Sequence, residues 1–292
     1  MLGGIEAGGT KFVCAVGDEN GAIIDQIRIP TTLPEETIQK VIEFFKQYDI
    51  KALGIGSFGP IDINPESPTY GNITSTPKPG WRDFPFVSSL KEAFSFPIGF
   101  HTDVNVAALG EATLGAAKGL DSCLYITVGT GIGAGAIIQG KLLQGLSHPE
   151  MGHILVRRHP NDPYQGKCPF HHDCLEGLAS GPAIEDRWGE KGENLVNREE
   201  IWDLEGYYIA QALMQYILIL SPKKIILGGG VPHQQEVFSS IYKYLNELMK
   251  QYVSLPELSE YIVSPGLGDA AGITGALILA NRTLKEYKSK TL

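Results

Sequence analysis

The chain carries the same local plan twice, and that repetition constrains its fold more than any other feature. An apolar run over residues 2–7 enters Gly8-Gly9-Thr10-Lys11 and returns as the apolar run Phe12 to Val16. Asn20-Gly21 then signals a turn into a third run, Ala22 to Ile29. From Cys123 the plan recurs: Cys123 to Val128, the turn Gly129-Thr130-Gly131-Ile132-Gly133, Ala134 to Ile138, the turn Gln139-Gly140-Lys141, then Leu142-Leu143. Short apolar runs joined by tight turns read as antiparallel meanders, not as βαβ units. Two copies favour an internal duplication over two unrelated hairpins.

Helical patterns follow each meander. Glu35 to Tyr48 places Ile38, Val41, Ile42 and Phe45 on one face, and Val104 to Lys118 is Ala-rich. An apolar-striped helix is expected over Glu205 to Leu220, broken by Ser221-Pro222, and further helices over Gln234 to Tyr252 and Ala270 to Tyr287. Strands are expected at Leu53 to Gly56, Ile98 to His101, Lys224 to Leu227 and Tyr261 to Val263. Residues 62–86, rich in Pro, Gly, Ser and Thr, read as a long irregular loop, and such loops are often functional. The sum is an α/β chain of two halves meeting near Gly119-Leu120-Asp121. Its 292 residues suit two medium domains.

The glycine turns can hold an anion. Glycine lets backbone N–H groups approach phosphate with no Cβ in the way, threonine adds a hydroxyl, and Lys11 adds a charge. Gly8-Gly9-Thr10-Lys11 and Gly129-Thr130-Gly131, facing each other, would clamp a triphosphate; either alone reads as no more than a tight turn. Gly131 to Gly135 is followed by a strand-like stretch and not by a helix start, which excludes a dinucleotide fingerprint. Gly228-Gly229-Gly230 fits either a third ligand loop or a strand-to-helix connector.

Two carboxylates stand where chemistry gathers in α/β folds. Asp103, after the strand ending at His101, is placed either to cap the next helix or to take a proton from a substrate hydroxyl. Glu6, beside the first glycine turn, is either a satisfied strand-end residue or a carboxylate for Mg²⁺, directly or through water.

Cys14 and Cys123 lie in apolar runs and read as core residues. Cys168-Pro-Phe-His171-His172-Asp-Cys174 differs, with Cys, His and Cys three apart in a polar stretch. His153 supplies a fourth ligand for a tetrahedral structural Zn²⁺, with His171 or His172 as the middle one and free thiols as the alternative.

A net charge of −9 with no basic stripe argues against nucleic-acid binding. The longest apolar run, near Met214 to Leu220, is too short to span a membrane. The opening Met1-Leu2-Gly3-Gly4-Ile5-Glu6 shows neither a basic n-region nor an apolar h-region, so no signal peptide is expected and the cytoplasm is the default location.

Taken together, these motifs resemble the ROK family (repressor, open reading frame, kinase) of sugar kinases, in the actin/Hsp70/hexokinase-like superfamily. The resemblance covers nearly the whole chain. It is most specific at Val128, Gly131-Ile132-Gly133, Gly135-Ala136, Gly145, Pro149 and Gly152-His153. It implies two ribonuclease H-like (actin-like ATPase) domains flanking a central cleft. The N-terminal one, with a sugar loop, spans 1–118. The C-terminal one, with the zinc loop, spans 119–292, its final helix free to pack back on the first.

The resemblance further implies ATP-dependent phosphorylation of a hexose, with Asp103 as general base. Gly8, Gly9, Thr10, Gly129, Thr130 and Gly131 would bind phosphate. Pro182, Gly228, Gly229, Gly230 and the stretch Gly266 to Asp269, including Gly268, would lie near the nucleotide. Asn72, Asn105, Glu150, His153 and Glu176 match positions around the sugar hydroxyls, so His153 would serve both zinc and sugar. ATP, Mg²⁺ and a structural Zn²⁺ are the expected cofactors, and a homodimer is expected.

Two departures stand out. Many members have Asp where this chain has Glu6, which bears on the magnesium geometry. Many carry three closely spaced cysteines where this chain has Cys168-x-x-His171-x-x-Cys174. That variant, continuing Leu175-Glu176-Gly177-Leu178-Ala179-Ser180-Gly181-Pro182, looks like the fructokinase subgroup, which converts D-fructose to fructose 6-phosphate. Glucokinase, mannokinase and N-acetylmannosamine kinase are the alternatives within the family. Outside kinases, the alternatives are a sugar-sensing repressor and an actin-like ATPase module.

Overall fold

In a computed structural model the described residues are 1–291. Backbone contacts divide them into two compact units. The first holds Met1–Gly119, Lys141–Pro149 and the chain from Gly266 onward; the second holds Leu120–Gly140 and Glu150–Pro265.

In the first unit, β1 (Leu2–Ala7), β2 (Lys11–Gly17) and β3 (Ile23–Pro30) form the antiparallel meander expected from the turn residues. α1 (Pro34–Phe45) starts on a proline, whose fixed φ suits the first helical turn, and buries Ile38, Val41, Phe44 and Phe45. β4 (Leu53–Ser57) lies parallel to β1, and β5 (Ile98–Thr102) parallel to β4. The sheet order is β3-β2-β1-β4-β5. Between β4 and β5 the irregular stretch ends in the short α2 (Phe86–Lys91). It is anchored and not free: Trp81 is fully buried, its indole 5.4 Å from the Phe12 ring and its Nε1–H donated to Thr32 O at 2.8 Å. α3 (Asp103–Thr113) leaves the end of β5. The closing helix α9 (Ala271–Thr291) lies so close on β4 that a Cβ at Gly54 would meet Ala276 O at 2.0 Å, which restricts that position to glycine.

The second sheet repeats the topology. β6 (Cys123–Val128) pairs antiparallel with β7 (Ile132–Ile138), and β8 is the short Lys141–Leu142. β9 (Ile225–Gly228) runs parallel to β6, and β10 (Ile262–Val263) parallel to β9. The order β8-β7-β6-β9-β10 matches β3-β2-β1-β4-β5 position for position, so the duplicated turn pattern returns as duplicated topology. Helices α4 (Leu175–Ala179), α5 (Gly181–Trp188), α6 (Glu199–Leu220), α7 (Glu236–Met249) and α8 (Leu258–Tyr261) complete the second unit.

Three expectations need correction, and two helices go beyond them. α3 stops at Thr113 and not at Lys118, because the Glu111 side chain takes the N–H of Ala116 and ends the ladder. α6 begins at Glu199, six residues before Glu205, where Trp202 enters the core. The strand expected from Tyr261 shrinks to Ile262–Val263, since Leu258–Tyr261 closes a helical turn. α4 and α5 carry too few residues to show a period and were not foreseen.

Candidate active site and metal centre

In the first unit the site begins at the carboxyl end of β5. Thr102 is the N-cap of α3: its side chain accepts the Asn105 N–H at 3.2 Å. Asp103 is therefore the first helical residue, and its Oδ1 accepts the Val104 N–H at 2.8 Å. The capping role open to Asp103 in the sequence belongs to its neighbour. Asp103 is half-buried, and burial pushes its carboxyl up to about 6. Glu6, at the end of β1, is raised to about 7 by burial, with the negative charges of Asp103 and Asp269 adding to it. Glu6 also abuts the start of α9, where a Cβ at Gly272 would lie 2.6 Å from its carboxyl carbon.

The first glycine turn is exposed at Gly9, Thr10 and Lys11 and closed by Gly8 N–H donating to Lys11 O at 2.9 Å. Asn105 is buried, its amide nitrogen 3.0 Å from His101 Nδ1. Asn72 sits in the anchored loop, where its carbonyl accepts the Asp62 N–H at 2.9 Å. Gly268 has φ +54 and opens a short 3-10 turn ahead of α9.

In the second unit the glycine segments converge. The ends of β6 and β9 lie side by side, and a Cβ at Gly129 would be 3.9 Å from Gly230 N. Gly229, at φ +92, brings its backbone against Val128, which glycine alone allows. Gly181 donates its N–H to Gly129 O at 2.7 Å, which sets Pro182 beside the second turn. Glu176, on α4, accepts the Ile132 N–H through Oε2 at 2.9 Å. Glu150 is exposed just before the 3-10 turn Met151–His153.

The same unit gathers His153, Cys168, His171 and Cys174, whose ligand atoms all lie within 4.8 Å of one another. Cys174 Sγ is 3.5 Å from His153 Nδ1, and Cys168 Sγ is 3.7 Å from His153 Nδ1 and 3.8 Å from His171 Nδ1. Tetrahedral zinc, with its usual bond lengths to sulfur and nitrogen, sets such S···N separations near about 3.6 Å. The donor set and spacing therefore fit the ion. Of the adjacent histidines, His171 faces the cluster. His172 adopts φ +53 and pairs its backbone with Cys168 instead, closing the knuckle. Cys14 and Cys123 are buried in the core strands, as expected.

A separate cavity of about 500 Å³ in the second unit is lined by His159, Asp162, Tyr164, Arg187 and Trp188 among others. It includes none of the glycine segments, the site carboxylates or the cluster ligands. Among the described residues no helix is long and apolar enough to cross a membrane.

Sequence reading missed Thr102, His101 and Glu111. The Thr-Asp-Val-Asn spacing was compatible with a threonine cap, whereas the other two act through contacts that spacing does not reveal.

The ROK family model matches residues 2–283. The chain belongs to the ROK family. It is 65% identical over 289 residues to a Bacillus subtilis protein, covering 98% of this chain and 97% of that one. It is 47% identical over 285 residues to the fructokinase of Pediococcus pentosaceus, covering 98% of this chain and 99% of that one. Among solved structures, the ROK hexokinase of Thermus thermophilus superposes with a TM-score of 0.82 at 27% identity, covering 98% of this chain and 99% of that one. The ROK fold, mixed α/β with two five-stranded sheets, is thus this chain's fold.

Proposed function

We propose that this ROK protein is an ATP-dependent hexose kinase that converts D-fructose to fructose 6-phosphate. One observation carries the chemistry: Asp103 stands at the carboxyl end of a parallel strand, relieved of capping by Thr102, with a carboxyl that burial raises to about 6. Such a group is more basic than an ordinary carboxylate and so better suited to accept a hydroxyl proton. The substrate class follows from the likeness to relatives named fructokinase along nearly their whole length.

In this reading Asp103 takes the proton of the attacking hydroxyl while the sugar oxygen bonds the γ-phosphorus and the bond to the ADP oxygen breaks. Phosphoryl transfer depends chiefly on positioning and charge stabilisation. The N–H groups of Gly9 and Thr10 in the first unit, and of Thr130 and Gly131 in the second, would face phosphate oxygens, while Gly8 and Gly129 close the turns by donating to Lys11 O and Gly131 O. Lys11 adds positive charge. Pro182, Gly228 to Gly230 and Gly268 belong to the nucleotide side. Asn72, Asn105, Glu150, His153 and Glu176 belong to the sugar side. Glu6, its charge crowded by Asp103 and Asp269, is the carboxylate suited to hold Mg²⁺ directly or through water; the ion supplies neutralisation of phosphate charge.

The four-ligand cluster would hold a structural zinc, with no open position for catalysis. His153 presents Nδ1 to the cysteines, which leaves Nε2 for the sugar. A cytoplasmic location and a homodimer belong to the same proposal.

The test is an ADP-release assay across fructose, glucose, mannose and N-acetylmannosamine, with the phosphorylated position identified by NMR. Fructose should give the highest kcat/KM and the 6-phosphate. ADP release that ignores every sugar would leave an ATPase instead of a kinase.

A further inference from the structure

Glu111 lies on α3, eight residues beyond Asp103, and is fully buried. Burying a carboxylate is costly unless hydrogen bonds replace its water. Here three backbone donors do so: Ala116 N–H reaches Oε2 at 2.7 Å, Gly266 N–H reaches Oε2 at 2.9 Å, and Leu267 N–H reaches Oε1 at 2.9 Å. The first bond ends the helix and would suffice as a local cap. The other two reach residues 155 and 156 positions away and serve no capping purpose.

Their placement is specific. The chain first leaves the first unit after Gly119, returns to it for Lys141–Pro149, and re-enters it for the last time at Gly266. Glu111 thus holds, on one side chain and within that unit, both the approach to the first departure and the first two residues of the final return. The packing admits little else: a Cβ at Gly115 would lie 2.2 Å from Glu111 Oε2, and one at Gly266 would lie 2.5 Å from Ala116 N.

We infer that Glu111 is a positioning residue for the transfer reaction: it pins the approach to the first departure and the final return of the chain to the helix that carries Asp103. Domain motions in kinases are absorbed at a few residues near element ends, and such hinges need fixed anchors. The pin keeps Asp103 and the Gly266–Asp269 segment in one geometry. This rests on the assignment of Asp103 as base, so the experiment separates the two.

In wild-type enzyme, hydrogen exchange should show the amides of Ala116, Gly266 and Leu267 strongly protected although they lie outside regular helix and sheet. Exchange there at the rate of open loop amides overturns the pin, whatever the enzyme's activity. Glu111→Gln keeps the shape but turns an N–H toward N–H donors. It should speed exchange at Gly266 and Leu267 and lower kcat, each at least about tenfold, because an unsatisfied buried polar group costs well over a factor of ten. KM for fructose should change less than kcat, since none of the sugar-side residues is itself altered. A merely structural role would lower the melting temperature and leave kcat per folded enzyme unchanged, which overturns the inference. If the variant does not fold, the wild-type exchange pattern decides. If wild-type enzyme phosphorylates no hexose, the kinase reading fails while the protection pattern still tests the pin.

Discussion

Glu176 Oε2 accepts the Ile132 N–H at 2.9 Å, and a Cβ at Gly131 would lie 2.8 Å from that same oxygen. The second glycine turn is therefore braced from the side by a carboxylate two residues past Cys174. Gly131→Ala should push turn and carboxylate apart. Overpacking typically costs about 1–3 kcal/mol, so KM for ATP should rise at least about fivefold while the protein stays folded. Steady-state ATP titration at saturating fructose measures it. An unchanged KM would place the turn away from the phosphates.

Asp103 sets a second expectation. Its carboxyl is raised to about 6 by burial, and a general base works only when ionised, so kcat/KM for fructose should fall as pH drops below about 6. Asp103→Asn retains the volume and loses the basicity. It should lower kcat by at least about 10²-fold while ATP binding persists. A pH–rate profile with an ATP-binding measurement on the variant tests both statements. Near-normal turnover would remove Asp103 from the role.

What could be read from the sequence was local. Asn20-Gly21, the two glycine turns and the 3-residue spacing of Cys168, His171 and Cys174 each encode their geometry within a few residues, and the structure follows them. What could not be read depends on distance or on competing neighbours. Thr102 and Asp103 are both good caps one position apart, and only the backbone angles show which takes the role. His171 and His172 differ by the positive φ of the second. Glu111 finds two of its donors more than 150 residues away, where no periodicity reaches.

The metal cluster yields a third prediction. Removing one of four ligands should release the ion, because site formation and folding are linked. Native protein should carry about one zinc per chain, and Cys168→Ala close to none. The melting temperature should fall by at least about 5 °C, since several kcal/mol of binding energy leave a unit of this size. Elemental analysis with a thermal melt gives both readings. Native protein without zinc, or a variant that keeps it, would end the assignment.

A buried charge network in the second unit carries the last prediction. The side chain of Arg187 is 6% exposed, that of Asp162 2% and that of Glu205 0%, and the guanidinium reaches Asp162 at 3.2 Å and Glu205 at 3.3 Å. It also donates to Leu178 O at 2.7 Å, tying α5 to α4, to α6 and to the loop before the metal knuckle. Burial pushes Glu205 up to about 8, while the Arg187 charge pulls the other way. Burial therefore favours the protonated form of Glu205 in the folded protein. A raised carboxyl contributes stability that is complete below the ordinary carboxylate range and is lost as pH climbs through about 8. Wild-type melting temperature should accordingly decline from pH 5 to pH 8. Glu205→Gln, which mimics the protonated acid, should flatten that decline. Arg187→Ala strands Asp162 without its partner and should cost about 3–5 kcal/mol. Parallel pH curves for wild type and Glu205→Gln would clear Glu205 of the effect, and a stable Arg187→Ala would show that the clamp is dispensable.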